Sequence, residues 1–256
     1  MSVLAVSGLA KSFGGVRAVD GASFAVAKGE FLAMIGPNGA GKSTCFNMIN
    51  GQIAPDAGQI LLEGHDIAGL PPRAIARRGV GRTFQIAAIF ASMTVVENVQ
   101  MALIAHAGET LHGWRPAGTR HRAQALDLLA AVGMRDAADR ASRALAYGDV
   151  KRLEFAIALA GAPRLLLMDE PTAGMAPRER TELIALVKRL VVERQISVLF
   201  TEHSMDVVFA FADRIIVLAR GKLIADGDAR AVRENPLVRE VYFGTGRTFE
   251  RRAEPA

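Results

Sequence analysis

One octet constrains the fold of this chain more than any other feature: Gly36-Pro37-Asn38-Gly39-Ala40-Gly41-Lys42-Ser43. It follows an apolar run, Phe31–Ile35, and leads into a helical pattern over residues 41–49 that closes near Gly51. Its glycines let the backbone wrap so that N–H groups point inward, and a helix start adds partial positive charge at the same place. The spacing G-x-x-x-x-G-K-S between a strand and a helix is that of a phosphate-binding loop. In such a loop Lys42 reaches the β- and γ-phosphates of ATP and the Ser43 hydroxyl ligates Mg2+. Gly36, Asn38, Gly39, Ala40, Gly41 and Thr44 complete the nucleotide-binding set. An ordinary glycine turn holding a chance lysine is the alternative, and the flanking strand and helix speak against it.

The surrounding pattern supplies the sheet that such a loop needs. Residues 3–6 and 22–26 are candidate strands, Lys28-Gly29-Glu30 a turn, and residues 59–62 another strand ending in a Gly64-His65-Asp66 turn. Pro71-Pro72 suits the first turn of a short helix carrying Ile75, where a missing N–H loses no helical bond. From about residue 86 to 150 strand patterns vanish and alanine-rich helical periodicity takes over, as in residues 95–105 and 123–132. Residues 106–119 hold glycines, Pro116 and the only tryptophan, Trp114, and read as a loop or a frayed insertion. Alternation then resumes. An apolar strand at 165–168 precedes an amphipathic helix at 177–193 opened by Pro177, an apolar strand at 198–201, and a hairpin of 215–218 with 222–225 around Arg220-Gly221. This is an α/β pattern, a sheet with helices on its faces interrupted by a helical insertion. Residues 1–243 are expected to form a single domain and residues 244–256 a poorly ordered tail.

Composition narrows the class. A chain of 256 residues that is 50% hydrophobic can bury a large core, and with 6% aromatics Val, Ile, Leu and Ala must fill it. No run of about 18 uncharged apolar residues exists, so no segment is expected to span a bilayer. The first residues lack the basic and apolar regions of a signal peptide, and the single cysteine, Cys45, has no internal partner, which suits the cytoplasm. Net charge is +5, but arginines are scattered, with short clusters at Arg77-Arg78 and Arg251-Arg252 and no basic stripe interleaved with aromatics. Nucleic-acid binding is therefore not expected. His65, His106, His112 and His121 show no metal-ligand spacing.

The second chemical feature is Leu165-Leu166-Leu167-Met168-Asp169-Glu170-Pro171. Four apolar residues place a strand at the sheet centre, so the two acids emerge at its carboxyl end beside the loop. There Asp169 can hold the magnesium hydration shell, and Glu170 can accept the proton of an attacking water. A strand ending in Asp-Glu-Pro is also a common turn; its place downstream of a phosphate loop is what gives it chemistry.

Together these residues resemble the ABC ATPases, and the resemblance runs from Val3 to about Phe243. It implies a RecA-like P-loop core with an N-terminal antiparallel β lobe and an inserted helical lobe. It also implies roles for residues that general motifs leave unread. Gln85, in Gly81-Arg82-Thr83-Phe84-Gln85, matches a glutamine that touches magnesium and signals to a membrane subunit. His203 matches a switch histidine that contacts the γ-phosphate and orients the water, joining Glu170 and Lys42 in catalysis. Phe13 lies where the family stacks an aromatic on adenine; a core phenylalanine near the first strand is the other reading. Leu145-Ala146-Tyr147-Gly148-Asp149 matches the signature that begins a helix and clamps the γ-phosphate of the opposite subunit. It departs from the usual Leu-Ser-Gly-Gly-Gln at Ala146, Tyr147 and Asp149. Recognition then falls on Ala146, Gly148 and the free N–H groups of a helix expected from Asp149 onward. Ala173-Gly174-Met175-Ala176 occupies the D-loop without the aspartate usual there.

The signature, Gly-Arg-Thr-Phe-Gln and Met93-Thr94-Val95-Val96-Glu97-Asn98 are similar to the ATP-binding subunits of branched-chain amino-acid importers, a pattern shared with amide and urea importers. The resemblance implies a Mg-dependent ATPase whose two subunits, identical or paralogous, sandwich two Mg-ATP molecules. Motion would pass through residues 85–90 to separate transmembrane permease subunits, serving a solute-binding protein indirectly. The subunit would lie peripherally on the inner face of the cell membrane, in the cytoplasm. The rival reading is a non-transport ABC ATPase acting as a soluble assembly scaffold. Repair relatives would need a long coiled coil, which the short insertion lacks, and ribosome-acting relatives usually carry two ATPase domains.

Overall fold

The computed structural model describes residues 2–83, 89–109 and 119–243. Gln85, most of the loop around Trp114, and the tail from residue 244 lie outside the described residues.

The three most apolar strands are β3 (Phe31–Ile35), β7 (Leu165–Asp169) and β8 (Ser197–Thr201), and every position in them is buried. That follows from their place inside a sheet covered on both faces. With β6 (Val80–Thr83), β9 (Arg214–Ala219) and β10 (Lys222–Gly227) they form a six-stranded sheet of order β10-β9-β3-β8-β7-β6. All neighbours are parallel except β9 and β10, which turn back on each other through Arg220 and Gly221, both at positive φ. Alternate residues feed two separate cores. Phe31, Ala33, Ile35, Leu166, Met168 and Phe200 face one, and Leu32, Met34, Leu165, Leu167 and Leu199 face the other.

The second core is closed by α1 (Lys42–Ile49), which buries Cys45, Phe46, Met48 and Ile49, and by a four-stranded antiparallel sheet of order β2-β1-β4-β5. Its strands are β1 (Ser2–Phe13), β2 (Val16–Ala27), β4 (Ala57–Leu62) and β5 (His65–Asp66). The first two are much longer than the sequence pattern suggests. Register shifts between Val6 and Leu9 and again before Lys11 break the alternation of β1 while its pairing continues. The expected Gly64-His65-Asp66 turn is also displaced: Glu63 and Gly64 make it, both at positive φ, and His65 and Asp66 already pair with Leu62 and Leu61.

A short helix, α2 (Pro72–Arg77), precedes β6, and its two-proline start is as expected. Between β6 and β7 lie α3 (Val95–His106), α4 (Arg122–Ala131) and α5 (Tyr147–Leu159). Thr94 and Glu97 open α3 with a reciprocal pair, Glu97 N to Thr94 Oγ1 at 3.3 Å and Thr94 N to Glu97 Oε2 at 2.7 Å. The long α6 (Pro177–Arg194) buries Leu183, Ile184, Val187, Leu190 and Val191, one stripe at helical spacing. Three helices were not legible in advance: α7 (Met205–Phe211), α8 (Ala229–Glu234) and α9 (Pro236–Phe243). At about two turns each they offer too few residues for a period to declare itself.

Candidate nucleotide site

The parallel register brings the chemistry together. Thr201 pairs with Met34 of β3 on one side and with Asp169 of β7 on the other, so three strands end in one row. The octet leaves β3 one residue beyond Ile35, about two strand spacings, or ~10 Å, from Asp169.

Within the octet, Lys42 is 7% exposed, and its Nζ donates to Gly36 O at 2.7 Å and Pro37 O at 3.2 Å. Burial pushes its ammonium below the ordinary lysine range, while Glu170 and Asp169 pull it back up. The carbonyls of the loop are therefore engaged internally: Pro37 O also accepts from Ala40 N, and Ala40 O accepts from Gly221 N at 3.0 Å. At the helix start the situation reverses. The first bond after Gly41 is Cys45 N to Gly41 O at 2.9 Å, so the N–H groups of Lys42, Ser43 and Thr44 precede it. A loop whose Gly36, Pro37 and Ala40 carbonyls are engaged, leading into the N–H groups of a helix start, fits an anion. Glycine is required at position 41, where φ is 105° and a Cβ would stand 2.3 Å from Ala18 O. The exposed Ser43 hydroxyl and the Asp169 carboxylate are hard oxygen donors of the kind Mg2+ takes alongside phosphate oxygens. Among the described residues no group of three or more His, Cys, Asp or Glu could hold a metal.

Asp169 is fixed from both sides. The Thr201 hydroxyl donates to its Oδ1 at 2.7 Å, and Arg82 Nη2 lies 3.5 Å from its Oδ2. Burial lowers the Arg82 guanidinium and Asp169 opposes that; Arg82 also donates to Asn47 Oδ1 of α1 at 2.9 Å, tying the two halves of the site. Glu170 takes φ 49°, a left-handed conformation that costs an ordinary residue on the order of 1 kcal/mol. Its N–H is held between Thr201 O at 3.2 Å and Thr201 Oγ1 at 3.1 Å. That bend turns the carboxylate toward His203, whose Nε2 lies 2.8 Å from Glu170 Oε1. The pair sits where β7 and β8 end.

Glu202, one residue before the histidine, was not picked out from the sequence. It is 4% exposed and both oxygens are used: Oε1 accepts from Thr172 N at 2.9 Å and Thr172 Oγ1 at 2.5 Å, and Oε2 from His203 N at 3.0 Å. The available signal was an acid directly after an apolar strand, in front of a histidine. Thr201, polar yet fully buried at a strand end, gave a similar one. A third contribution comes from α9: Tyr242 brings its phenol near the Gly36 amide; burial pushes the phenol well up, and the amide opposes that.

The signature helix starts earlier than expected. Its N-cap is Ala146 and α5 begins at Tyr147, not Asp149, with the first bond running from Val150 N to Ala146 O at 3.0 Å. The N–H groups of Tyr147, Gly148 and Asp149 thus precede that bond. Ala146 presents an extended backbone rather than a side-chain cap. Phe13 is 48% exposed at the end of β1, which removes the core reading.

Residues 19–173 match the ABC transporter family, and residues 222–248 match the branched-chain amino acid ATP-binding cassette transporter family. This chain belongs to the ABC transporter ATP-binding family. It is 41% identical to the high-affinity branched-chain amino acid transport ATP-binding protein BraF of Pseudomonas aeruginosa, covering 94% of this chain and 98% of that one. It is 39% identical to the corresponding protein LivG of Escherichia coli K12, with the same coverage of each. Among solved structures it is similar to an ATP-binding cassette of an ABC transporter in its ADP conformation, with a TM-score of 0.86, 32% identity, and coverage of 95% of this chain and 99% of that one. It also resembles a dimeric, post-hydrolysis cassette bound to ADP and Pi, with a TM-score of 0.75, 25% identity, and coverage of 88% and 98%.

Proposed function

We propose that this chain is the ATP-hydrolysing subunit of an importer for branched-chain amino acids, working in a pair with a second ATP-binding subunit. The observation that carries the chemistry is the 2.8 Å contact of Glu170 with His203 at the strand ends beside the phosphate loop. The helix-start N–H groups of residues 42–44 and the Lys42 ammonium would hold the phosphates of ATP. Ser43 and Asp169 would hold Mg2+, with Gln85 joining them; the ion would supply charge neutralisation to the transferred phosphoryl. Glu170 would take the proton of the attacking water and His203 would orient it. Lys42 is already directed into the loop, so little reorganisation is left for the moment of reaction. Phe13, exposed beside Lys11 Nζ at 5.7 Å, is free to stack on adenine. Ala146, Gly148 and the start of α5 would contact the ATP held by the second subunit.

The solute reading rests on the family match at residues 222–248 and on the functions of the two relatives. No helix among the described residues is long and apolar enough to cross a membrane. Because its relatives are transport ATP-binding proteins, we place the permease subunits on separate chains and this subunit peripherally on the cytoplasmic face of the membrane. A groove of about 340 Å3 between α2, α3 and α5, lined by Ile75, Ala76, Ala102, Ala105 and Ile157, suits an apolar docking segment of a permease. Phe90, a large apolar side chain that is 54% exposed, is a further candidate contact. The test is uptake of labelled leucine into vesicles holding the permease, a binding protein and this subunit. Uptake that requires ATP and disappears with Lys42→Ala is expected. ATP-dependent uptake of another solute with none of leucine, isoleucine or valine would overturn the solute assignment.

A further inference from the structure

The tyrosine that interrupts the signature makes a contact that a glycine there could not. Tyr147 is the first residue of α5, and its hydroxyl donates to Ala173 O at 2.9 Å, in the D-loop turn of the same chain. The ring is itself seated. Lys151 Nζ stands 5.6 Å from its centroid, and Lys151 is buried and paired with Glu154 Oε2 at 2.9 Å. A Cβ at Gly174, where φ is 79°, would lie 3.6 Å from the ring edge. Gly148 faces the same turn, a Cβ there lying 3.7 Å from Met175 Cε.

Beyond Ala173 the bonds run without a break into the hydrolytic pair. Ala173 N donates to Glu170 O at 3.1 Å, and the adjacent Thr172 is bound through N and Oγ1 to Glu202 Oε1. The other oxygen of Glu202 accepts from His203 N, and His203 Nε2 closes the ring on Glu170 Oε1. The start of α5 and the turn that positions Glu170 are thus one hydrogen-bonded body, although they are parts of different lobes in chain order.

We propose that the Tyr147 hydroxyl is a positioning group that couples the two ATP sites. By holding the signature helix to the D-loop turn, it makes engagement of one ATP by the start of α5 set Glu170 and His203 at the other. This rests on the paired reading above, in which the start of α5 meets the second subunit's nucleotide. In this chain the D-loop lacks an aspartate, and the tie runs through a backbone carbonyl instead.

Tyr147→Phe tests this, because it keeps the ring, its packing on Gly174 and its contact with Lys151 while removing only the donor. The chain is assayed with its natural second subunit, whether identical or paralogous. ATP-driven association is first measured by sedimentation in a Glu170→Gln background; KM, kcat and the Hill coefficient for ATP are then measured with Glu170 intact. Expected for Tyr147→Phe are unchanged association, KM within about twofold, and a Hill coefficient falling toward 1. Its kcat should drop about fivefold, the equivalent of one neutral hydrogen bond of ~1 kcal/mol. A packing role alone would lower thermal stability without moving the Hill coefficient. Wild-type kcat and Hill coefficient in the variant overturn the proposal. So does lost association when the Glu170→Gln parent associates, since Tyr147 would then serve the clamp itself. If the parent fails to associate, the paired reading falls and the coupling with it.

Discussion

Thr201 gives the sharpest test of how the site is built, because one hydroxyl serves both acids. It is fully buried, donates to Asp169 Oδ1 at 2.7 Å and stands 3.1 Å from the Glu170 N–H. Thr201→Val preserves shape and removes only that oxygen. The Glu170 N–H keeps Thr201 O at 3.2 Å, so its loss is partial. Asp169 loses its short donor and retains Arg82 at 3.5 Å. A hydrogen bond to a buried charged group contributes about 1.5 to 3 kcal/mol. For a chain of this length that corresponds to a fall in melting temperature of roughly 3 to 12 °C. Thr201→Ser keeps the oxygen and sheds one methyl, a loss of about 1 kcal/mol. Thermal unfolding and ATPase activity of both variants make the assay. The serine variant should retain most of kcat, and the valine variant should lose both stability and rate. If valine is as stable and as active as the parent, the hydroxyl does not organise the acids, and the row of strand ends is not what places them.

Two further outcomes follow from exposure and burial. Phe13→Ala should weaken ATP binding by about 1 to 3 kcal/mol, the range of base–aromatic stacking, and leave the melting temperature nearly unchanged because the ring is 48% exposed; titration calorimetry with ATP and with an adenine-free triphosphate separates stacking from phosphate contacts. The Cys45 thiol, on the buried face of α1, is pushed up to about 12. It should resist thiol reagents at pH 8 until the chain unfolds. Because the unfolded thiol ionises from about pH 9, its ionisation should favour unfolding as pH rises from about 9 toward 12.

What the sequence disclosed, it disclosed through consecutive residues. The octet and its flanks, the apolar runs of β3, β7 and β8, and the proline start of α6 are local patterns, and local patterns survive in a one-dimensional string. Cross-strand contacts do not. Thr201 meets Asp169, and Thr172 meets Glu202, only because two parallel strands lie in a particular register. Arg82 stood in plain view within Gly-Arg-Thr-Phe-Gln, but its reach to Asp169 and Asn47 depends on β6 being the edge neighbour of β7. The bulges of β1 hid half its length, and α7 to α9 were too short to display a period. The signature was found through resemblance, yet its helix starts at Tyr147 because Ala146, with an extended backbone, can end the preceding segment without a capping side chain.

The claim that Glu170 is the base of an ATPase is tested most directly by Glu170→Gln, which keeps the shape of the side chain and its place beside His203 while removing its basicity. Binding of Mg-ATP, followed by calorimetry, should persist, and steady-state phosphate release should fall at least ~100-fold, as for loss of a general base. Hydrolysis at a rate near that of the unaltered chain would contradict the account.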